Sequence, residues 1–190
     1  NRLFRTDDQG HSWKTLSQDL SRNIDRNKLM VMDRVWSVDA IAKNGSTDIY
    51  GNCTSIAENQ FDENTLYVGT DDGLIQITND GGKTWKKIDN IPGIPERSYV
   101  HQIVASQHDR NTLFVIFNHH RYGDFHPYIV KSTDGGSSWK AIQSNLPERG
   151  SLYCMAEDHI NKNLLFAGTE FGAFCSVDGG MKWIALKSGL

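Results

Sequence analysis

Five carboxylates, Asp39, Asp71, Asp72, Asp124 and Glu170, stand near aromatic residues in segments that read as loops between strands. Two carboxyl groups flanking a scissile bond are what glycoside hydrolysis requires: one donates a proton, and the other activates water or attacks. Asp71 and Asp124 are the candidate catalytic pair. Aromatic rings offer platforms to ligands, and Trp36, Tyr50 and Tyr122 are candidate binding residues, together with Asp72, His120, Arg121 and Glu170. The plainer alternative is that Asp71 and Asp72 shape a turn and that Glu170 is solvated. His119, His120, His126 and Asp124 lie within eight residues, but successive residues on a strand point to opposite faces, so His119 and His120 are ill placed to share an ion. The aspartate-glycine runs lack a twelve-position ligand loop ending in Glu, so calcium is not expected. The sequence implies no metal and no cofactor.

The elements that must carry these residues are read from an internal repeat. Thr6-Asp7-Asp8-Gln9-Gly10-His11-Ser12-Trp13 matches three later octets, at 78–85, 132–139 and 176–183. The shared pattern is Ser/Thr, any, Asp, any, Gly, any, Ser/Thr, Trp. Only the fourth octet departs, with Lys182 in place of the second hydroxyl. Such an octet makes sense as a hairpin turn. The fixed glycine takes positive φ without a Cβ penalty. Asp8, Asp80, Asp134 and Asp178 accept bonds from turn amides, with the hydroxyls adding local bonds. Trp13, Trp85, Trp139 and Trp183 offer large apolar faces to a neighbouring sheet. A second block, Ile56 to Val68, aligns without gaps to Ile103–Val115 and Met155–Ala167, each reading as strand, polar turn, strand. Alternation inside these strands is modest, as expected where both faces are buried.

Each unit is therefore four short antiparallel strands, one blade of a β-propeller. The sequence predicts an all-β propeller segment of about three and a half blades: a partial blade over 2–17, an inserted loop region over 18–52, and blades over 53–89, 101–143 and 153–187, all within one propeller. Residues 17–30 are polar and are expected to form a short helix. Antiparallel order puts the octets and the first-to-second turns on one face. The second-to-third loops, the blade links and the long insertions fall on the other face, where binding is expected.

Composition narrows the classes. The 190 residues include 20 Lys and Arg against 23 Asp and Glu, a net charge of −3, which leaves no basic excess for phosphates and argues against a nucleic-acid binder. No apolar run approaches the length of a membrane span. Cys53, Cys154 and Cys175 do not have metal-site spacing and read as three small buried residues. Asn44-Gly45-Ser46 and Asn52-Cys53-Thr54 match glycosylation sequons, which carry no weight in a bacterial host.

The octets resemble the Asp-box, or BNR repeat, and the chain resembles part of an Asp-box β-propeller. Such propellers include sialidases, xyloglucanase-type glycoside hydrolases, the sorting receptor sortilin and photosystem assembly factors. The run Leu66-Tyr67-Val68-Gly69-Thr70-Asp71-Asp72-Gly73-Leu74 before an Asp-box, and the segment Asp124-Phe125-His126-Pro127-Tyr128, are similar to exported bacterial proteins with sortilin-like propellers commonly described as glycosyl hydrolases. The resemblance implies structural Asp-boxes, ligands on the opposite face and an extracellular or periplasmic location. Gly93-Ile94-Pro95 lacks the arginine of the sialidase Arg-Ile-Pro element, and the cysteine-rich module of sortilin is absent. The expected function is glycan binding, with hydrolysis by a carboxylate pair. The alternative is a protein- or peptide-binding scaffold. An arc of this size cannot close a ring, so the rest of the propeller or a second copy is expected to complete it.

Overall fold

The computed structural model describes residues 1–43 and 50–187. The Asn44-Gly45-Ser46 sequon and residues 44–49 of the insertion lie outside the described residues. Three antiparallel four-stranded sheets follow one another along the chain. The N-terminal pair β1 (Phe4–Arg5) and β2 (Lys14–Thr15) precedes them, and the insertion forms a small hairpin of β3 (Met30–Val31) and β4 (Arg34–Val35). The first sheet comprises β5 (Cys53–Asn59), β6 (Asp62–Thr70), β7 (Ile75–Thr78) and β8 (Lys86–Ile88). The second comprises β9 (Tyr99–Ala105), β10 (Leu113–His119), β11 (Asp124–Ser132) and β12 (Lys140–Ala141). The third comprises β13 (Leu152–Glu157), β14 (Leu165–Thr169), β15 (Gly172–Ser176) and β16 (Ile184–Ala185). The sheets do not close on themselves, so the molecule is a partial propeller.

The weak alternation of β10 has a direct cause: both of its faces are core. Leu113, Val115 and Phe117 point into an apolar cluster with Tyr67, Ile75 and Ile77 of the first sheet. Phe114 and Ile116 point the other way, into a cluster with Leu165, Ala167 and Trp183 of the third. Burial of such side chains is the main favourable term, at about 25 cal/mol for each Å² of apolar surface removed from water.

The Asp-box glycines fix how each sheet seats on the one before it. Gly82 has φ +91°, and a Cβ there would come within 2.7 Å of Leu16, beside β2. At Gly136 a Cβ would meet Ile77 at 2.5 Å and Ile88 at 3.2 Å, and at Gly180 it would meet Ile142 at 2.9 Å. Each glycine thus lets its turn lie against the outer strands of the preceding sheet. Gly82 seats beside the β1–β2 pair in this way. Gly10 has no such neighbour: the nearest atom to its virtual Cβ is Trp13 at 4.0 Å.

Three expectations change. The polar run 17–30 contains only a single 3-10 turn, Arg26–Lys28, capped by Asp25, whose carboxylate accepts the Asn27 amide at 3.0 Å. Asn118–His126 is not a loose loop. It extends the β10–β11 hairpin, with His119 paired to Asp124 across a 3-10 turn at His120–Tyr122 and Gly123 in the left-handed region. The cysteines are also less buried than expected. Cys53 and Cys175 are half-buried and Cys154 is exposed, all three as free thiols. Among the described residues no helix is long and apolar enough to cross a membrane.

Candidate functional site

The two faces of the arc are built differently. On one lie the Asp-boxes. Gly81, Gly135 and Gly179 each donate an amide hydrogen bond of 2.9 Å to the carbonyl of Asn64, Asn111 or Asn163 in the adjoining first-to-second turn. Within a box, Thr78 Oγ1 donates to Asp80 Oδ1 at 2.8 Å and accepts from the Gly82 amide at 2.9 Å. The Thr84 amide donates to Asp80 Oδ1 at 2.9 Å and the Thr84 hydroxyl to Oδ2 at 2.7 Å. These donors, the Thr84 amide first, hold the Asp80 carboxyl down at about 2. Asp8 and Asp134 repeat the pattern, and their acidities are raised for the same reason. Each of these carboxylates is saturated by its own turn and serves the hairpin.

The opposite face carries the insertion, whose base is clasped by the aspartate pair. Asp71 Oδ1 accepts the amides of Gly51 at 2.9 Å and Asn52 at 2.7 Å, and Oδ2 accepts Asn52 Nδ2 at 3.2 Å. Asp72 Oδ2 accepts the Arg22 amide at 2.7 Å, while Arg22 Nε donates to the Asp72 carbonyl at 2.8 Å. Both carboxylates are buried. Arg22 begins the insertion and Gly51-Asn52 ends it, so two adjacent residues tie both ends of one excursion to the β6–β7 turn.

Between the insertion and the first strands lies a cavity of about 970 Å³. Trp36, Val31 and Ile41 supply apolar wall from the insertion, and Tyr50 and Tyr99 supply rings from its end and from β9. Arg26, Lys43 and Arg121 bring positive charge to it, and Asp71 is its carboxylate among the described residues. Trp36 is held by its own indole N–H, which donates to the Val31 carbonyl at 3.0 Å, and by the Arg34 guanidinium 4.8 Å from its ring centre. Arg26 donates to the Lys43 carbonyl at 2.7 Å, while its other terminal nitrogen, Nη1, is out of solvent without a partner among the described residues. Arg121 lies 5.1 Å from the centre of the Tyr99 ring. Burial, with smaller contributions from Tyr122 and Asp72, pushes the Tyr50 hydroxyl up to about 12, so it remains a neutral donor.

Four of the residues singled out in the sequence therefore meet at one cavity: Trp36, Tyr50, Asp71 and Arg121. Asp72, Asp124, His120, Tyr122 and Glu170 are not among its walls. Asp124 accepts the His126 amide and ring nitrogen at 3.0 and 2.7 Å through Oδ1, and the Tyr128 hydroxyl at 2.6 Å through Oδ2. Burial alone would raise its pKa, but the Tyr128 and His126 hydrogen bonds outweigh it and the net shift is downward. Tyr122 stacks on His119 with centroids 4.4 Å apart. His120 bonds to Asn118, and Glu170 accepts the Tyr153 hydroxyl at 3.1 Å on the third sheet. The repeat alignment pairs Tyr99 with Asn52, and both line the cavity, so the alignment itself contains a signal for Tyr99. Arg26 and Lys43 sit in a segment with no repeat to mark them. Among the described residues no group of three or more His, Cys, Asp or Glu is arranged to hold a metal.

Stacked four-stranded sheets, Asp-box hairpins on one face and a walled cavity on the other define the class: an Asp-box β-propeller, present here as an open arc. The sequence profile of the Sortilin-Vps10 family, described as sortilin, neurotensin receptor 3, matches residues 1–163. The chain belongs to that family. No curated protein sequence matches it. Among solved structures it is similar to an ancestral GH74 enzyme at 20% identity and a TM-score of 0.58, over 73% of this chain and 19% of that one. It is similar to YCF48 bound to D1 peptide at 18% identity and a TM-score of 0.55, over 70% of this chain and 40% of that one. A GH74 xyloglucanase from Xanthomonas campestris aligns at 12% identity and a TM-score of 0.55, over 74% and 24% of the two chains. At these identities the likeness is one of fold. The aligned region spans 19% to 40% of those chains' lengths.

Proposed function

We propose that this segment is a ligand-binding part of an exported Asp-box propeller, and that its cavity receives an extended peptide rather than cleaving a glycan. The observation that carries this reading is the character of the cavity: aromatic and aliphatic walls, three cations, and a carboxylate whose oxygens are already taken by Gly51 and Asn52. A glycosidase needs two available carboxyl groups roughly 5–9.5 Å apart across the bond. Asp124, the second candidate, does not line this cavity. Apolar side chains with arginine anchors are characteristic of peptide and protein interfaces. Family membership and the fold shared with a peptide-bound YCF48 support the same reading. The remaining blades, or a second copy, complete the ring around this face, and the location is extracellular or periplasmic. Glycan binding is the second reading, favoured by the rings of Trp36, Tyr50 and Tyr99 along one cavity.

The test is fluorescence anisotropy of the complete polypeptide with labelled peptides that alternate apolar and acidic residues, alongside xyloglucan oligosaccharides. Peptide binding that weakens about tenfold or more in Trp36→Ala and in Arg121→Ala is the expected result. Oligosaccharide cleavage abolished by Asp71→Asn or Asp124→Asn, with folding intact, would overturn it in favour of a glycosidase.

A further inference from the structure

The fourth Asp-box differs from the third at three positions, and the two adjacent changes, Met181 and Lys182, release polar groups into one groove. In the third box, the Ser138 hydroxyl donates to Asp134 Oδ2 at 2.5 Å. Its counterpart in the fourth is Lys182, so Asp178 accepts the Ser176 hydroxyl and the Lys182 amide through Oδ1 alone. Asp178 Oδ2 accepts no hydrogen bond among the described residues. In the third box, Ser137 accepts Lys86 Nζ from the preceding sheet at 3.5 Å. Its counterpart is Met181, so Lys140, which stands where Lys86 does, has no partner among the described residues. The intervening tryptophan differs as well. The indole N–H of Trp85 donates to Gly82 O at 3.1 Å and that of Trp183 to Ile142 O at 2.7 Å. That of Trp139 is out of solvent with no acceptor among the described residues.

Asp178, Lys140, Trp139 and Met181 line one groove of about 570 Å³ between the end of the second sheet and the fourth box. Its walls also include Asn163 and Ser138. This volume falls within the ordinary range for small-ligand sites. It lies on the Asp-box face, away from the insertion cavity. A carboxylate oxygen accepts, an ammonium donates, and amide and hydroxyl groups do both. Beside them stand the apolar surfaces of Trp139 and Met181. A pyranose ring has the matching chemistry: hydroxyls that donate and accept around its rim, and a C–H face that packs on aromatic surface. Lys131 lines the groove as well, so two ammonium groups that donate stand around one carboxylate that accepts, which suits the hydroxyl and ring oxygens of a sugar.

We propose that this groove is a second binding site, for one pyranose unit of a glycan. The test is NMR titration of the complete polypeptide with methyl β-glucopyranoside, methyl β-galactopyranoside and methyl α-mannopyranoside, following the Trp139 indole resonance assigned through Trp139→Phe. At least one glycoside is expected to shift that resonance saturably in the millimolar range. The double variant Met181→Ser with Lys182→Ser restores the arrangement of the third box. It is expected to unfold at or above the wild-type midpoint while its dissociation constant rises about tenfold or more, because Asp178 Oδ2 and Lys140 become occupied. Absence of any shift at Trp139 with all three glycosides, or equal binding by the restored variant, would overturn the proposal.

Discussion

Tyr67, Phe114 and Phe166 hold the same place in three successive sheets, yet their exposures are 1%, 0% and 39%. Ile56, Ile103 and Met155 hold another common place, and there the order is reversed: 59%, 4% and 4%. The first set faces the following sheet and the second faces the preceding one. Among the described residues Phe166 has no sheet after it, and Ile56 has only the β1–β2 pair before it. Trp13 and Trp183 repeat the contrast, at 61% and 3%. Residue type in this chain follows the repeat, whereas burial follows the neighbour. The exposed apolar residues at the two ends thus occupy the positions that pack between sheets in the middle of the arc.

Polar groups obey the same rule. Ser55 Oγ accepts the Ile103 amide at 2.8 Å, and Gln102 both accepts from the Met155 amide at 2.8 Å and donates to its carbonyl at 3.3 Å. Cys154 is the third member of this series. It is exposed.

Substitutions can break or sharpen this contrast between middle and ends. The largest difference is expected for Phe114→Ala against Phe166→Ala in urea denaturation of this chain: about 3–5 kcal/mol for the first and under about 1 kcal/mol for the second. Equal losses would show that the third sheet is covered. Next come the glycines. Gly136→Ala forces a Cβ against Ile77 and should cost about 3 kcal/mol, combining overpacking with unfavourable φ. Gly10→Ala meets only the Trp13 ring, at 4.0 Å, and should cost only the backbone term, about 1–2 kcal/mol. Gln102→Ala removes two inter-sheet hydrogen bonds and should cost about 1–2 kcal/mol, against no measurable loss for Cys154→Ala.

The smallest effect concerns acidity. The Asp80 carboxyl titrates at about 2 in the folded chain, below its ordinary value of 3.8. A carboxylate depressed in this way contributes stability fully above the unfolded value and loses it as pH falls through the folded one. The second box should thus support the fold down to about pH 4 and lose its contribution on approach to pH 2. Carbon-13 titration should find Asp178, which accepts one hydroxyl where Asp134 accepts two, losing its charge at a higher pH than Asp134. Lys182→Ser should narrow that gap.

Much of the fold was legible because the repeat is local chemistry. A Ser/Thr, Asp, Gly and Trp set closes a hairpin through bonds within eight residues, so the octets marked the third-to-fourth strand turns of each sheet. The gapless blocks around Ile56, Ile103 and Met155 marked the inner strands. The site was less legible. Trp36, Tyr50, Asp71 and Arg121 do meet at one cavity, but whether Asp71 is free or engaged depends on where a thirty-residue excursion returns, which no period in the sequence encodes. Arg26 and Lys43 lie inside that excursion. The extension of the β10–β11 hairpin was hidden because its residues, from Asn118 to His126, have the polar composition of a loop while pairing as strands.

The most direct test of the account is the reactivity of Cys154 toward a maleimide, compared between this chain and the complete polypeptide. If the exposed flank of the third sheet is a blade-packing surface, Cys154 reacts freely in the isolated chain and is strongly protected in the complete polypeptide, while half-buried Cys175 changes less. Equal labelling of Cys154 in both would contradict the account, leaving the arc with an edge that no further blade covers.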